Sequence, residues 1–344
     1  MKNTILGTIC LLLLTLAAGC GRGKTVRIKG DFDHLKQGVF FAYSYSNEWD
    51  SYDSIIVKNG EFTFERPCSD TTLIYLQYPN LSQTLLIGTP GKTVKVYGDA
   101  NNLKDIEIGG TKENELLNEF QQSLNGTSRR MKRQLAQKFI EEHPQSFASL
   151  AVLQHYFLNV ERMDYPKVEK LFKLMLKATP KRPLLRTMYG EMVPVLHNVP
   201  GKRLPKFRAI TLNDDTLTNE TFKGKWLLIN LYSNWALDFF DPMATANKVL
   251  KPYKGKIDIL NICLDADTFD CLREIKRDTI KSYVVCDRKS WDSPLAKTFG
   301  IRTMPSNLLV NPKGIIVARD IPMADYDTKF KTYLAPKAKK DSIK

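Results

Sequence analysis

The 344-residue chain has little of the residues on which metal and disulfide chemistry depend. It contains six cysteines and four histidines, and the cysteines do not fall in the paired spacings of zinc sites. Six cysteines are also too few for a disulfide-dense mini-domain. The histidines are His34, His143, His155 and His197. The chain after residue 200 therefore has no histidine for a Cys–His or Ser–His pair, or for a His-ligated metal site.

Two further classes of site are missing from the sequence. No glycine-rich loop is present that would cradle a phosphate, since Gly60, Gly91 and Gly314 stand at expected turns. Asp265 and Asp267 suggest metal binding at first sight, but a full set of oxygen ligands is not evident. We therefore expect no cofactor and no metal.

The chain has a large net positive charge and many hydrophobic residues. Lys and Arg number 51 against 37 Asp and Glu, which gives a net charge of +14. A hydrophobic fraction of 43% supports real cores and excludes a mainly disordered chain. The charge alone is compatible with nucleic acid, an anionic membrane surface or an acidic partner.

The N-terminus has the arrangement of a secretory signal over residues 1–19. A basic Lys2 precedes an apolar run from Ile5 to Leu16, and small residues then lead to Cys20. The run is too short to span a membrane comfortably, and no later segment is long and apolar enough to do so. The sequence LAAGC, ending at Cys20, resembles a bacterial lipobox. That resemblance implies cleavage before Cys20 and a lipid on its sulfur; ordinary cleavage with an unmodified Cys20 is the alternative.

A lipid on Cys20 would fix the protein to a membrane of the cell envelope, with residues 20–24 as a short tether. No Asp follows Cys20, which in enteric-type sorting favours the outer membrane, and we expect the chain to face the periplasm. Export makes nucleic acid an improbable partner despite the charge, and it allows other cysteines to be oxidised.

Residues 25–112 are predicted to form a small all-β sandwich or open barrel. Short β-branched or aromatic segments alternate with turn residues, and Asn59-Gly60 favours a tight hairpin. The opening VRIKG, the hairpin at 53–62 and the TPGK segment at 89–92 resemble the N-terminal β domain often fused to thioredoxin-like lipoproteins, which implies binding or spacing. The predicted strands are 26–29, 39–45, 54–57, 61–64, 73–77, 84–87, 93–97 and 106–108.

Aromatic residues cluster around the second predicted strand. Phe41, Tyr43 and Tyr45 alternate and would share one face, with Trp49 nearby. They would form either an aromatic binding surface or ordinary half-buried strand packing, and packing is the favoured interpretation.

Residues 113–200 are predicted to be a basic helical connector, with helices over 113–124, 131–142, 146–159 and 165–176. Between Arg129 and Arg208 there are 17 basic and six acidic residues, so this region holds most of the excess charge. Its densest cluster is Arg129, Arg130, Lys132 and Arg133. The cluster is either a solvated helix face, the interpretation we favour, or a contact for an anionic lipid or glycolipid.

Residues 201–336 have an α/β pattern, followed by a basic tail at 337–344. Buried strands are predicted at 226–232, 257–264 and 283–287, and a terminal hairpin is predicted at 306–310 and 315–319. Helices are predicted from about 236 to 251, at 269–276 and at 293–299.

The order of motifs in this region resembles the thioredoxin fold of the TlpA/ResA-type envelope oxidoreductases, within the AhpC/TSA–Redoxin superfamily. The matching residues are Gly224-Lys225, the strand to Tyr232, Trp235, Asp265 and Pro305, with Gly314 in the final turn. The resemblance implies a Cys-x-x-Cys pair after Trp235 and a cis-proline at Pro305.

The catalytic positions depart from this pattern. Ala236 and Phe239 stand where the two cysteines belong. Thiol–disulfide exchange needs one thiolate to attack and a second thiol to release the mixed disulfide. Dithiol chemistry at these two positions is therefore excluded, whatever the fold.

The resemblance still implies a groove that pairs with extended polypeptide, lined by Trp235, Phe239, Met304 and Pro305. Such pairing is sheet-edge recognition and needs no cysteine. The alternative, given equal weight, is a vestigial site in which Phe239 fills the space of the lost cysteines.

The remaining cysteines have separate interpretations. A helix start and a strand end meet at one edge of a parallel sheet, so a Cys271–Cys286 disulfide is topologically possible. It would close a loop of 15 residues, worth about 3 kcal/mol. A structural bond is favoured over a relocated redox pair. Cys263 is expected to be a buried strand residue, and Cys68 a free thiol.

The sequence thus favours an envelope lipoprotein whose redox-inactive thioredoxin-like domain binds or scaffolds periplasmic polypeptides. The alternative is a thiol–disulfide oxidoreductase that uses Cys271 and Cys286.

Overall fold

The computed structural model describes residues 24–44, 49, 51–160, 163–233, 242–268, 271, 282–304 and 306–335. The chain divides into two compact units, Met1–Met188 and Tyr189–Lys344. The boundary means that most of the segment expected to be a connector lies within the first unit.

The first unit contains one eight-stranded sheet, with strand order β6-β5-β2-β3-β4-β1-β7-β8. The pairing of β1 with β7 is parallel, and the other pairs are antiparallel. All eight strands correspond to predicted ones. They are β1 (Thr25–Asp33), β2 (Gln37–Tyr43), β3 (Asp53–Lys58), β4 (Glu61–Pro67), β5 (Thr72–Gln77), β6 (Gln83–Gly88), β7 (Thr93–Asp99) and β8 (Glu107–Gly109).

Alternating burial along β1 gives this sheet one packed face. Its core is aromatic: the Phe40 ring centroid lies 5.2 Å from that of Phe32, 5.7 Å from that of Phe62 and 5.0 Å from that of Tyr78. Gly30 allows this packing, because a Cβ there would lie 1.9 Å from the Phe62 ring. The core therefore depends on a residue without a side chain at that position.

Helices follow the sheet, and the first and third of them pack on it. They are α1 (Lys112–Ser123), α2 (Arg129–Glu142), α3 (Phe147–Leu153), which continues into a π-helical turn (Gln154–Leu158), α4 (Tyr165–Ala178) and α5 (Pro183–His197), which contains the unit boundary. Side chains of Thr111, Ser128, Ser146 and Asp164 cap α1 to α4.

One buried side chain ties α1 to the sheet. Asn114 is fully buried, and its Oδ1 accepts from the Ile87 amide at 2.9 Å while its Nδ2 donates to the Ile87 carbonyl at 2.8 Å. The side-chain amide thus pairs with the β6 backbone as a neighbouring strand would. The helical segment that begins with α1 is consequently anchored to the β domain.

The second unit contains a two-stranded hairpin and a five-stranded sheet. The hairpin is β9 (Arg208–Ile210) with β10 (Thr216–Thr218), and the sheet has the order β13-β12-β11-β14-β15. β11, β12 and β13 are parallel, whereas β14 and β15 are antiparallel. The strands are β11 (Trp226–Tyr232), β12 (Ile257–Cys263), β13 (Ser282–Cys286), β14 (Ser306–Val310) and β15 (Ile316–Arg319); the helices are α6 (Pro242–Leu250), α7 (Pro294–Thr298) and α8 (Tyr326–Leu334).

Both faces of this sheet are covered, as the continuous apolar runs predict. Leu228, Ile259 and Leu309 pack against α6 and α8 on one face. Ile229, Leu260 and Leu308 pack against α7 and β10 on the other. The predicted helix at 269–276 lies outside the described residues, apart from Cys271. Among the described residues, no helix is both long and apolar enough to cross a membrane.

Candidate functional site

The carboxyl ends of the parallel strands in the second unit bring the candidate residues to one edge of the sheet. Tyr232 is in register with Cys263, and Cys263 with Cys286. β14 begins at the same edge, because Ser306 pairs with Leu231. In open α/β sheets this edge is where ligands bind.

A disulfide joins Cys263 to Cys271, with an S–S distance of 2.08 Å and a Cα–Cα distance of 6.5 Å. The predicted Cys271–Cys286 pairing was therefore wrong. The topological argument brought Cys271 to the correct edge, but Cys263 ends the adjoining strand at that same edge. Cys286 keeps its thiol, which donates to the Asp265 carbonyl oxygen at 3.4 Å.

The three sulfurs nevertheless form a compact cluster, because all lie within 4.8 Å of one another. With the disulfide reduced, three thiolates at this spacing could hold a soft metal ion such as Zn²⁺ or Cu(I). With the disulfide formed, the cluster is a disulfide beside a free thiol.

Asp265 organises the polar surroundings of the cluster. The Ser233 hydroxyl donates to Asp265 Oδ1, and Asp265 Oδ2 lies 3.4 Å from Cys263 Sγ. Sequence reasoning found Asp265 as the residue after a strand but missed its Ser233 partner. The available signal was that Ser233 and Asp265 come within two residues of the ends of the adjacent parallel strands β11 and β12.

Burial limits the reactivity of these sulfurs. Cys263 and Cys271 are 1% and 0% exposed, respectively. The pKa of the Cys286 thiol is raised, chiefly by burial, and the nearby charges of Asp265 and Asp287 raise it further. A raised pKa reduces the thiolate fraction at neutral pH, and the thiolate is the nucleophile. The environment is that of a structural bond, and the prediction that Cys263 is a buried strand residue is confirmed.

The predicted peptide groove is described only at Met304. Met304 is half-buried, two residues before β14. Trp235, Ala236, Phe239 and Pro305 lie outside the described residues, as does Cys20. The groove therefore remains a prediction.

In the first unit, the predicted aromatic surface is mostly packing. Tyr43 is buried and stacks on Tyr75 with ring centroids 5.1 Å apart. Trp49 is buried, and its Nε1 donates to Asp53 Oδ2 at 2.9 Å. Phe41 is 37% exposed, while Tyr45 lies outside the described residues.

The last sulfur and the basic cluster also lie in the first unit. Cys68 carries a buried thiol that donates to the Asp70 carbonyl at 2.7 Å. The cluster Arg129, Arg130, Lys132 and Arg133 forms the first turns of α2.

Comparisons with known proteins identify one family model and several relatives. The family described as "Domain of unknown function (DUF4369)" matches residues 26–117. The thiol-disulfide oxidoreductase ResA of Bacillus thuringiensis is 28% identical over 120 residues, which are 34% of this chain and 66% of that protein. The chain thus spans slightly less than two thirds of the length of this curated relative.

Solved structures also match parts of the chain. A thiol-disulfide oxidoreductase from Bacteroides fragilis is 33% identical, and the match covers 39% of this chain and 99% of that one, with a TM-score of 0.33. A thioredoxin-like protein from Bacteroides caccae is 11% identical over 64% of this chain and 83% of its own, with a TM-score of 0.46.

The second sheet, with three parallel strands continued by an antiparallel hairpin, defines a thioredoxin-like protein. Since the chain is 33% identical to the Bacteroides fragilis oxidoreductase over nearly all of that relative's length, it belongs to the thioredoxin-like, ResA-type family of thiol–disulfide oxidoreductases.

Proposed function

We propose that this member of the family is an envelope lipoprotein whose thioredoxin-like domain does not exchange disulfides and instead binds extended polypeptide. The observation that carries the proposal is the pair Ala236 and Phe239, which replaces the two cysteines that the family's chemistry requires. Neither side chain can form or resolve a mixed disulfide.

The cysteine cluster supports the same conclusion. The only described disulfide of the second unit is shielded at both sulfurs, and the neighbouring thiol has a raised pKa. A catalytic disulfide needs an accessible sulfur and a thiol of low pKa. The bond is therefore suited to holding Cys271 against the end of β12.

Polypeptide binding rests on the family resemblance. The resemblance implies that the residues just before β14 would pair with extended polypeptide, with backbone hydrogen bonds providing affinity and side chains providing selectivity. Met304 is half-buried there and offers an adaptable apolar contact.

The binding test uses a reduced, carboxymethylated polypeptide that cannot form disulfides. We expect the purified full-length chain to bind it, and Met304→Lys to weaken binding about tenfold. Met131→Lys is the matched control, because Met131 is 46% exposed and lies in the first unit. A peptide with N-methylated backbone should lose affinity if recognition is by sheet-edge pairing. Equal binding by wild type and Met304→Lys would count against the groove.

A second candidate function is thiol–disulfide exchange within the cysteine cluster, supported by the spacing of the three sulfurs. In that reaction the Cys286 thiolate attacks Cys271 Sγ, the Cys271–Cys286 bond forms, and Cys263 leaves as a thiolate that takes up the proton lost by Cys286. Mass spectrometric mapping of disulfides after trapping at low pH separates the candidates. A single Cys263–Cys271 species supports the structural bond, and a mixture with Cys271–Cys286 supports exchange.

The envelope location is part of the proposal, because Cys20 would carry the anchoring lipid. Metabolic labelling with a palmitate analogue should mark the wild type and not Cys20→Ser. Fractionation should place the labelled protein in the outer membrane. A wild type without label would leave Cys20 as an ordinary residue and would contradict this part of the proposal.

A further inference from the structure

The first unit contains a large cavity for which neither the redox family nor the proposed groove provides a role. Its volume is about 1320 Å³, and it is lined by β6, the segment at 103–107, α1, the start of α2, and the residues from α3 through the π-helical turn to Val160. Pockets for organic ligands typically measure about 300–1,000 Å³. The cavity can therefore accept such a ligand.

Three cations of α2 line one wall. Arg129, Lys132 and Arg133 border the cavity, whereas Arg130 does not. Their spacing explains the difference, since residues three and four apart share a helix face and Arg130 is rotated away. The first turn of α2 contains no acidic residue. Among the described residues, none of the three forms an ion pair with a carboxylate.

The wall contributed by the π-helical turn contains His155 and Tyr156. Burial, together with the charge of Lys132, lowers the pKa of His155, so the imidazole is neutral at pH 7 and can donate one hydrogen bond. The only described acidic groups on the lining are Asp105, just before β8, and Glu107, the first residue of β8. The wall formed by α2 and the π-helical turn is thus cationic and rich in hydrogen-bond donors.

Apolar side chains line other parts of the cavity. Leu117, Phe120 and Leu124 of α1 and its C-cap contribute to it, as does Val152 of α3. These four side chains are only 1–6% exposed, so they offer a ligand little surface. Leu81 and Leu103 also line the cavity, and they are 75% exposed and half-buried, respectively. A ligand bound here therefore meets apolar side chains and a concentrated positive charge.

We propose that this cavity binds an anionic amphiphile: a ligand with an apolar chain and a phosphate or carboxylate head group. The head group would lie against Arg129, Lys132 and Arg133, where charge-assisted hydrogen bonds are strong. The chain would lie against Leu81 and Leu103. For three of the four cluster residues, the proposal thus takes up the anionic-lipid alternative in place of the favoured solvated helix face.

The site is tested by isothermal titration calorimetry of the full-length chain with hexyl, octyl and decyl phosphate below their micelle concentrations. We expect one site per chain and an affinity that rises about fourfold per added methylene until the apolar region is filled. Inorganic phosphate and octyl glucoside, which carry only the head-group charge or only the chain, should each bind at least tenfold more weakly than octyl phosphate.

Charge-neutralising variants locate the head group. Lys132→Gln and Arg133→Gln should each weaken octyl phosphate binding about tenfold. Arg130→Gln is the matched control, with the same charge removed one residue away, and should stay within twofold of the wild type. Circular dichroism should show unchanged helix content in all three variants.

Three outcomes would overturn the proposal: equal loss of affinity in Arg130→Gln and Arg133→Gln, unchanged affinity in both Lys132→Gln and Arg133→Gln, or no dependence on chain length. Vesicles of neutral and of anionic phospholipid then identify the source of the head group. Flotation with anionic vesicles that Arg133→Gln weakens indicates a membrane lipid. Alkyl phosphate binding without flotation indicates a free amphiphile, and both results retain the site.

Discussion

Removal of the Cys263–Cys271 bond should lower the free energy of unfolding of the second unit by about 2.5 kcal/mol. The two cysteines are eight residues apart, and the chain-entropy relation for a closed loop of that length gives this value. Both sulfurs are buried, so a small additional loss of packing is expected in a Cys→Ala variant.

The design must prevent a replacement bond, because Cys286 lies within 4.8 Å of the other two sulfurs. The comparison is therefore between Cys286→Ala, which keeps the bond, and the double variant Cys271→Ala/Cys286→Ala, which has none. Cys286→Ala itself should stay within about 1 kcal/mol of the wild type.

Urea unfolding monitored by hydrogen exchange in β12 and β14 reports on the second unit alone. A reducing agent provides a second route, since it should destabilise Cys286→Ala and leave the double variant unchanged. A difference below about 0.5 kcal/mol between the two variants, with no effect of reductant, would refute the structural role of the bond.

Other parts of the structure make two further predictions. Asn114→Ala should destabilise the first unit by about 2–4 kcal/mol. The substitution removes two hydrogen bonds and leaves the Ile87 amide and carbonyl buried without their side-chain partners. A thermal unfolding temperature equal to that of the wild type would contradict this prediction. Alkylation of Cys286 by iodoacetamide should be slower than that of an exposed cysteine at neutral pH and accelerate at alkaline pH, because its pKa is raised in the folded state. Because the pKa of Cys286 is raised in the folded state, its protonated thiol favours folding at neutral pH, and this contribution to stability is lost as the pH rises through the folded-state pKa. Alkylation of Cys286 at pH 7 as fast as that of a free thiol would contradict the conclusion that burial limits its reactivity.

The strands of the first unit could be predicted from local sequence. Short β-branched or aromatic segments between turn residues located all eight, and the Asn59-Gly60 hairpin is present with φ values of 53° and 83° at the two residues. Both angles are in the left-handed region that this dipeptide tolerates. The continuous apolar runs likewise predicted the buried strands of the second unit.

Short or weakly patterned elements were not predicted. The strands β9 and β10 have three residues each, which is too few for a periodic signal. Helix α8 did carry a signal, since Tyr326, Phe330 and Leu334 recur every four residues and are all buried. The charged and polar residues between these positions obscured the apolar pattern of the helix.

The geometry of the candidate sites could not be predicted from local sequence patterns. Topology brings Cys263, Cys271 and Cys286 within 4.8 Å of one another but does not define which two of them are bonded. The cavity was also beyond the sequence, because it brings the start of α2 next to His155, a residue more than 20 positions away. The sequence locates a cluster of basic residues, but it does not show which distant residues line the same cavity.

The central claim, that the domain does not exchange disulfides, is tested most directly by insulin reduction with dithiothreitol as the electron donor. We expect wild type to produce no turbidity above the uncatalysed rate, whereas Ala236→Cys/Phe239→Cys, which restores the two cysteines, should accelerate it. Turnover by wild type that Cys271→Ser abolishes would contradict the claim and assign the activity to the cysteine cluster.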